Sequence, residues 1–198
     1  MTRTTRYNII LASNSPRRRE LLGGLDINFS VRVLPGIKEG YPSHLTTEEI
    51  PQFIASEKAA AYNVAADELI ITADTIVALG KEIMGKPQDE ADAVRMLSEL
   101  SGRTHQVVTG VCLTTATEQR CFAVTTDVTF RELTKKEILY YVTNYKPYDK
   151  AGAYGIQEWI GYIGVSSIHG SYFNVMGLPV QRINDELEAM NVFDADAK

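Results

Sequence analysis

The stretch from residue 9 to residue 22 is Ile9-Ile10-Leu11-Ala12-Ser13-Asn14-Ser15-Pro16-Arg17-Arg18-Arg19-Glu20-Leu21-Leu22. It begins with an apolar run that is typical of a buried strand, and it passes through small polar residues into a helical pattern. Ser15 is a favoured N-cap residue, and Pro16 follows it at the first helical position. The stretch therefore predicts a strand, a short turn and a helix.

The charge at the start of this predicted helix has an unusual sign. The first turn of a helix carries a partial positive charge and prefers Asp or Glu, but here it contains Arg17, Arg18 and Arg19. Each such charge costs roughly 0.3–1 kcal/mol at a surface site. A bound anion reverses that cost, because free backbone N–H groups and guanidinium groups together form a phosphate site. A solvated basic helix start remains the alternative.

Composition narrows the class of protein. The chain has 198 residues, of which 44 % are hydrophobic and 23 % charged, and this fits one globular unit with a sizeable core. The net charge of −5 argues against general nucleic-acid binding and favours a small anionic ligand for the local basic cluster. No secretory signal or membrane span is visible, so we expect a cytoplasmic protein. Cys112 and Cys121 flank a likely turn and can face each other, but we expect free thiols in that compartment.

Hydrophobic periodicity and turn residues predict the remaining elements. Strands are predicted at residues 28–34, 69–79 with a break at 74–75, 82–84, 105–115, 120–130, 159–168 and 172–174. Helices are predicted at residues 46–66, 90–100, 134–142 and 180–190. The helices beginning near 90 and 134 have clear N-terminal signals, an Asp cap and a capping box.

Asp74 is the most informative carboxylate. It ends the apolar run of residues 69–73, and in open α/β sheets ligands bind beyond the carboxyl ends of strands. A buried carboxylate is costly without a partner such as a metal or a lysine, although a structural, hydrogen-bonded Asp remains possible. Lys58 lies in a helix among small residues, where a surface lysine is the alternative to a lysine in a cleft. Lys86 lies in a rigid Gly-Lys-Pro turn, which suits a lysine that binds phosphate. Glu39 lies in a loop, where an ordinary exposed glutamate is the alternative.

A second candidate segment spans residues 148–157. Its glycines allow close backbone approach, while Lys150, Tyr154 and Gln157 supply a cation, a ring and an amide. Gln can pair through two hydrogen bonds with a nucleobase or with backbone amides. A tightly packed structural turn is the alternative.

Several well-known motifs are absent. The chain has no Gly-x4-Gly-Lys-Ser/Thr loop, no Gly-x-Gly-x-x-Gly after a strand and no Gly-x-Ser-x-Gly. The three histidines show no metal-ligand spacing. Carboxylates with Lys and Arg remain, and that combination suits metal-assisted phosphoryl chemistry.

Several separated blocks together resemble the Maf family of nucleotide pyrophosphatases. The blocks are residues 13–22, 57–59, 73–77, 85–87, 100–105, 149–157 and 170–179. The resemblance implies an α/β fold similar to that of ITPases, with a mixed twisted sheet and helices in two lobes around a deep cleft. It further implies a single Maf-like domain over residues 1–198 and a homodimer.

The resemblance also assigns residues. Asp74 matches the catalytic carboxylate, and Glu39 with Asp74 matches the acidic positions for a divalent cation, Mg²⁺ or Mn²⁺. The phosphate-binding set corresponds to Ser13, Ser15, Arg17, Arg18, Lys58 and Lys86. Arg17, Thr75 and Gln157 resemble the specificity positions of the branch that acts on dTTP and UTP. The chain departs from the family after Gln157, where Glu158-Trp159-Ile160 replaces small or glycine-rich residues.

The expected function is therefore hydrolysis of dTTP and UTP to the monophosphate and pyrophosphate, by metal-assisted attack of water on the α-phosphorus. The expected partner is the nucleoside triphosphate, with no nucleic acid and no membrane. Two alternatives remain. One is a pyrophosphatase of different specificity, for 7-methyl-GTP or other modified nucleotides, and the other is a cell-division or septum regulator acting through protein contacts.

Overall fold

The computed structural model describes residues 2–37 and 39–193. The strands of this part of the chain are β1 (Asn8–Leu11), β2 (Phe29–Val31), β3 (Glu68–Leu79), β4 (Glu82–Met84), β5 (Thr104–Thr114), β6 (Gln119–Phe130) and β7 (Val165–His169). The helices are α1 (Pro16–Gly23), α2 (Glu49–Ala60), α3 (Glu90–Leu100), α4 (Lys135–Tyr145), α5 (Trp159–Gly164), α6 (Tyr172–Met176) and α7 (Val180–Ala189). None of the described helices has the length and apolar character that crossing a bilayer requires.

The strands form one mixed sheet in the order β2-β1-β3-β5-β6-β7, and β4 pairs with β3. β1 runs parallel to β2 and to β3, whereas β4 is antiparallel to β3 and β7 is antiparallel to β6. Parallel pairing requires crossover connections, and α1 and α2 lie in the connections that join β1, β2 and β3. The predicted mixed α/β class is confirmed.

The chain divides into two compact units. The first contains residues 1–74, 109–124 and 177–198, and the second contains residues 75–108 and 125–176. The second unit has a large apolar core that includes Leu97, Leu100, Phe130 and Tyr141. In the first unit, Ile10, Tyr62 and Ile70 form one cluster, and Ala55, Ala59 and Cys112 form another. The assignment of residues 1–198 to a single domain stays a prediction.

Asp74 lies within a continuous strand instead of at a strand break. β1 pairs with Glu68–Ile71 of β3, and the Ala12 N–H still donates to the Ile71 carbonyl at 2.9 Å. The remainder of β3 extends beyond the carboxyl end of its parallel neighbour. Asp74 therefore occupies the position relative to β1 that the sequence indicated, although the strand itself continues to Leu79.

The cysteines form a disulfide, so the expectation of free thiols is wrong for this structure. The Thr115 N–H donates to the Glu118 carbonyl at 2.8 Å and closes the hairpin between β5 and β6. This turn places Cys112 directly opposite Cys121, with 4.1 Å between their Cα atoms. A regular register across a short hairpin thus brings the two sulfur atoms together.

Three element predictions need correction. Residues 159–164 form α5 instead of a strand, residues 172–176 form α6, and α2 ends at Ala60 instead of continuing to residue 66. α5 brings Gly161 against the Ile156 carbonyl, where a Cβ atom would overlap that group. In the second unit, the buried Asn174 on α6 donates to the Val107 carbonyl at 3.1 Å. α2 ends where Tyr62 turns into the cluster that contains Ile10.

Candidate active site

Lys58 links two carboxylates of the first unit. Its Nζ atom lies 2.8 Å from Asp74 Oδ1 and 2.8 Å from Glu39 Oε1. The Lys58 and Asp74 side chains are 15 % and 14 % exposed, whereas Glu39 is 49 % exposed. The Lys58 ammonium is thus the cationic partner that a largely buried carboxylate such as Asp74 needs.

The packing of α2 determines where Lys58 lies. The helix presents Ala55 and Ala59 to the interior, and the Thr72 hydroxyl donates to the Ala55 carbonyl at 2.7 Å. A Cβ atom at Gly110 of β5 would overlap the backbone of Pro51 and Gln52, so α2 and this part of β5 are in close contact. Small residues on both elements permit this approach, and the ammonium group of Lys58 can reach both carboxylates from this position.

The start of α1 is built as the sequence predicted. The Ser15 side chain caps the helix by accepting from the Arg18 N–H at 3.4 Å, and Ser13 Oγ accepts from the Ser15 N–H at 3.2 Å. No acidic residue lies in the first turn of this described helix, and Arg17 is half-buried there. The first turn of α1 is therefore both capped and basic, and this combination favours binding of an anion.

Arg18 forms hydrogen bonds with two backbone carbonyls that are distant from it in sequence, and the sequence did not show them. Its Nε donates to the Gly177 carbonyl at 2.8 Å and its Nη1 donates to the Ala73 carbonyl at 2.9 Å. Burial lowers the pKa of the guanidinium, while the nearby carboxylates of Asp74 and Glu39 oppose that shift. Arg18 thus holds the backbone immediately before Asp74 and adds a positive charge beside it.

Asp74 and Glu39 supply carboxylate oxygens, which are the kind of ligand that a divalent cation binds. Because each lies 2.8 Å from the same nitrogen, their oxygens are no more than twice that distance apart. Mg²⁺ typically binds to one or two carboxylates and to substrate phosphates, with waters completing the shell. Among the described residues, no cluster of three or more His, Cys, Asp and Glu side chains suits a metal.

Thr75, Lys86 and Gln157 belong to the second unit. Thr75 follows Asp74 along β3 and is half-buried. Lys86 is exposed, and its turn is held by a hydrogen bond of 3.1 Å from the Gly152 N–H to the Gly85 carbonyl. Gln157 is half-buried in a turn, and within residues 2–37 and 39–193 its side-chain amide makes no hydrogen bond.

Sequence reasoning missed a network around Gln157. Glu158 accepts from Tyr141 Oη through one carboxylate oxygen, and its other oxygen lies 3.1 Å from Lys150 Nζ. In the sequence, Lys150 stands out only as a cation and Glu158 only as a departure from the family pattern, while Tyr141 carries no local signal. The signal was the presence of a charged pair, Lys150 and Glu158, at the two ends of a glycine-rich segment.

The comparisons with known proteins cover nearly the whole chain. The family model described as Maf-like protein matches residues 8–190. The dTTP/UTP pyrophosphatase of Phocaeicola vulgatus is 64 % identical over 187 residues, which cover 93 % of this chain and 97 % of that protein. The dTTP/UTP pyrophosphatase of Bacteroides fragilis is 58 % identical with the same coverage.

Among solved structures, that of the Staphylococcus aureus Ham1 protein is similar with a TM-score of 0.49 and 17 % identity, over 92 % of this chain and 99 % of that chain. Family membership is shown by the family model, which matches most of the chain, and by the two pyrophosphatases of 64 % and 58 % identity. The chain belongs to the Maf family.

Proposed function

We propose that this protein hydrolyses dTTP and UTP to the nucleoside monophosphate and pyrophosphate. The full-length identity of 64 % and 58 % to two dTTP/UTP pyrophosphatases supports this activity. The structural observation that carries it is the Lys58 ammonium between Asp74 and Glu39. This group supplies acidic and basic side chains for phosphoryl chemistry next to a helix start that favours anions.

In the proposed reaction, the oxygen of a water molecule attacks the α-phosphorus, and the bond from that phosphorus to the bridging oxygen of the β-phosphate breaks. Asp74 orients the attacking water and accepts its proton, and pyrophosphate leaves. The basic first turn of α1 and the Lys58 ammonium offset the negative charge of the triphosphate and of the leaving group. Arg18 holds the Ala73 carbonyl, so that Asp74 is placed without reorganisation.

A divalent cation would be held by Asp74 and Glu39. When bound, it supplies positive charge to phosphate oxygens and lowers the pKa of a bound water. The choice between Mg²⁺ and Mn²⁺ stays a prediction from the family.

The roles of the second-unit residues also stay predictions. By resemblance, Lys86 binds phosphate, while Thr75 and Gln157 take part in pyrimidine recognition with Arg17. A Gln amide has a donor and an acceptor that match the N3–H and O4 groups of a uracil or thymine edge. Homodimer formation is expected on the same ground, and a cytoplasmic location stays a prediction from the sequence.

The test is pyrophosphate release from dTTP, UTP, CTP, GTP, 7-methyl-GTP, 5-methyl-UTP and ITP with Mg²⁺ or Mn²⁺. We expect release from dTTP and UTP, and we expect Asp74→Asn to lower kcat roughly a thousandfold or more because a neutral amide cannot accept the proton. The melting temperature of the variant serves as the control for folding. If folded Asp74→Asn retains most of the activity, the assignment of Asp74 is wrong. Activity on purine nucleotides alone would instead contradict the proposed specificity.

A further inference from the structure

Glu158 is the centre of a clamp formed by Glu158, Lys150 and Tyr141 in the second unit. One carboxylate oxygen accepts from Tyr141 Oη, and the other pairs with Lys150 Nζ at 3.1 Å. Tyr141 is fully buried, and the Lys150 side chain is only 9 % exposed. Lys150 Nζ also pairs with Asp149, whose carboxylate lies at 2.8 Å and is 60 % exposed. Glu158 is therefore the more shielded of these two counterions, and neutralising it leaves a buried ammonium poorly compensated.

The clamp closes the turn that contains Gln157. Tyr141 Oη accepts from the Gly155 N–H at 3.0 Å, while the Glu158 N–H donates to the Gly155 carbonyl at 3.0 Å. Gly155 and Glu158 are the first and last residues of this four-residue turn, and Gln157 lies inside it. Both ends of the turn are thus attached to the same phenol and carboxylate, so the backbone beneath Gln157 is fixed.

The Glu158 carboxyl group and the Gln157 amide border the same space beside Gly155. A Cβ atom added at Gly155 would be 2.9 Å from Glu158 Cδ and 3.0 Å from Gln157 Nε2, so both groups border the space that glycine leaves open. An ionised carboxylate only accepts hydrogen bonds. It attracts the N–H₂ end of a neighbouring amide and repels the carbonyl end, and it thereby favours one of the two orientations of the Gln157 side chain.

The orientation of the Gln157 amide matters because uracil-type and cytosine-type bases present donor and acceptor groups in opposite order. Uracil and thymine present N3–H as a donor and O4 as an acceptor, whereas cytosine presents N3 as an acceptor and N4–H₂ as a donor. A Gln that is free to flip can pair with either edge, but a Gln that is held in one orientation pairs with only one.

We propose that Glu158 is a positioning residue that holds the Gln157 amide in the orientation that selects uracil-type over cytosine-type bases. This role rests on the proposed function, and it assigns a purpose to the position at which the chain departs from its family. Lys150 and Tyr141 hold the Glu158 carboxylate in place, and the carboxylate determines the orientation of the Gln157 side-chain amide.

The experiment measures kcat and KM for UTP and CTP with the wild-type enzyme, Glu158→Gln, Gln157→Ala and the double variant. We expect Glu158→Gln to lower the UTP-to-CTP ratio of kcat/KM about tenfold, which lies within the range that one bidentate base contact contributes. The change should appear mainly in the KM for UTP, because base recognition contributes binding that is equal in the ground and transition states. In the Gln157→Ala background, Glu158→Gln should change the ratio less than about twofold.

Glu99→Gln is the matched control, because Glu99 is a carboxylate of the same unit that pairs with Arg95 at 3.0 Å on the surface. It should leave the ratio unchanged. Tyr141→Phe removes the donor to Glu158 and should lower the ratio in the same direction, and it replaces Glu158→Gln if that variant does not fold.

The proposal is overturned if folded Glu158→Gln keeps the wild-type ratio, or if its effect is equally large without Gln157. A wild-type enzyme that is inactive on UTP overturns the proposed function itself. A wild-type enzyme that prefers UTP, together with a Glu158→Gln variant of the same preference, overturns only the role of Glu158.

Discussion

His105 is a buried histidine with one polar partner. It is 1 % exposed, its Nε2 lies 2.7 Å from Tyr154 Oη, and its ring contacts those of Phe130 and Tyr154 edge-on. Among the described residues, its Nδ1 has no hydrogen-bond partner. Burial lowers the pKa of this imidazole to about 4, so it is neutral at pH 7.

This pKa predicts how stability depends on pH. Between about pH 6.5 and pH 4 the unfolded chain binds a proton at His105 and the folded chain does not, so the free energy of unfolding falls as pH falls. Over that window the loss attributable to this group is about 3 kcal/mol. His105→Gln, which does not titrate, should lack this part of the slope when urea denaturation is measured at pH 7.5, 6 and 5. An unchanged slope in the variant would show that another group is responsible.

At the scale of the element, α2 is the helix on which the candidate site depends. It carries Lys58, and its backbone at Pro51 and Gln52 contacts β5 at Gly110, where a side chain would overlap the helix backbone. The helix and its lysine therefore have little freedom to shift independently.

Gly110→Ala tests this contact. The added methyl group meets backbone and not a flexible side chain, so we expect a loss of about 3 kcal/mol or more in the free energy of unfolding and a fall in kcat as Lys58 is displaced. Gly23→Ala is the matched control, because the nearest atom to its Cβ, Phe29 Cε1, is 4.0 Å away. That variant should be neutral or slightly stabilised by better helix propensity. Equal stability of the two variants would mean that α2 can move away from β5 at little cost.

Elements whose signals are local were predicted well. The Ser15 cap of α1, the Asp89 cap of α3 and the capping box of Thr134 with Glu137 were all visible in the sequence, because the capping side chain is adjacent to the turn it satisfies. The errors have tertiary causes. Tyr62 leaves the helical path so that its hydroxyl can donate to the Arg32 carbonyl at 3.1 Å, and Asn174 bonds to groups distant in sequence.

The candidate site likewise combines features with local sequence signals and features that depend on tertiary structure. Residue type and position singled out Asp74, because a carboxylate at the end of a buried strand needs a partner, whereas Lys58 and Glu39 were assigned by the resemblance to the family. That Lys58 contacts both carboxylates, and that Arg18 holds the Ala73 carbonyl, depend on loop and helix placement that no local pattern encodes. The disulfide was missed for a different reason, since the expectation of free thiols came from the inferred compartment and not from geometry.

At the scale of the whole molecule, the two units are not successive along the chain. β3, β5 and β6 each begin in one unit and continue into the other, so the backbone passes between the units within regular strands. Loss of pairing along these strands affects both units at once. We therefore expect them to unfold together.

Two probes can test this expectation. Trp159 is the only tryptophan and lies in the second unit, whereas far-UV circular dichroism reports on helices and strands of both units. Thermal unfolding followed by tryptophan fluorescence and by circular dichroism should give one midpoint, as a cooperative transition requires. A biphasic dichroism curve with a single fluorescence step would indicate two independently stable bodies, and the single-domain prediction would then be wrong.

The contact between Lys58 and its two carboxylates has an electrostatic consequence for the approach of a substrate. The protein carries a formal charge of −5, so at long range it repels a polyanion. At physiological ionic strength that repulsion is screened beyond about 8 Å. The arriving phosphates then meet the local sum of two carboxylates, the Lys58 ammonium and the guanidinium groups of Arg17 and Arg18, which is +1. An acidic protein thus presents a tetravalent anion with a small local excess of positive charge.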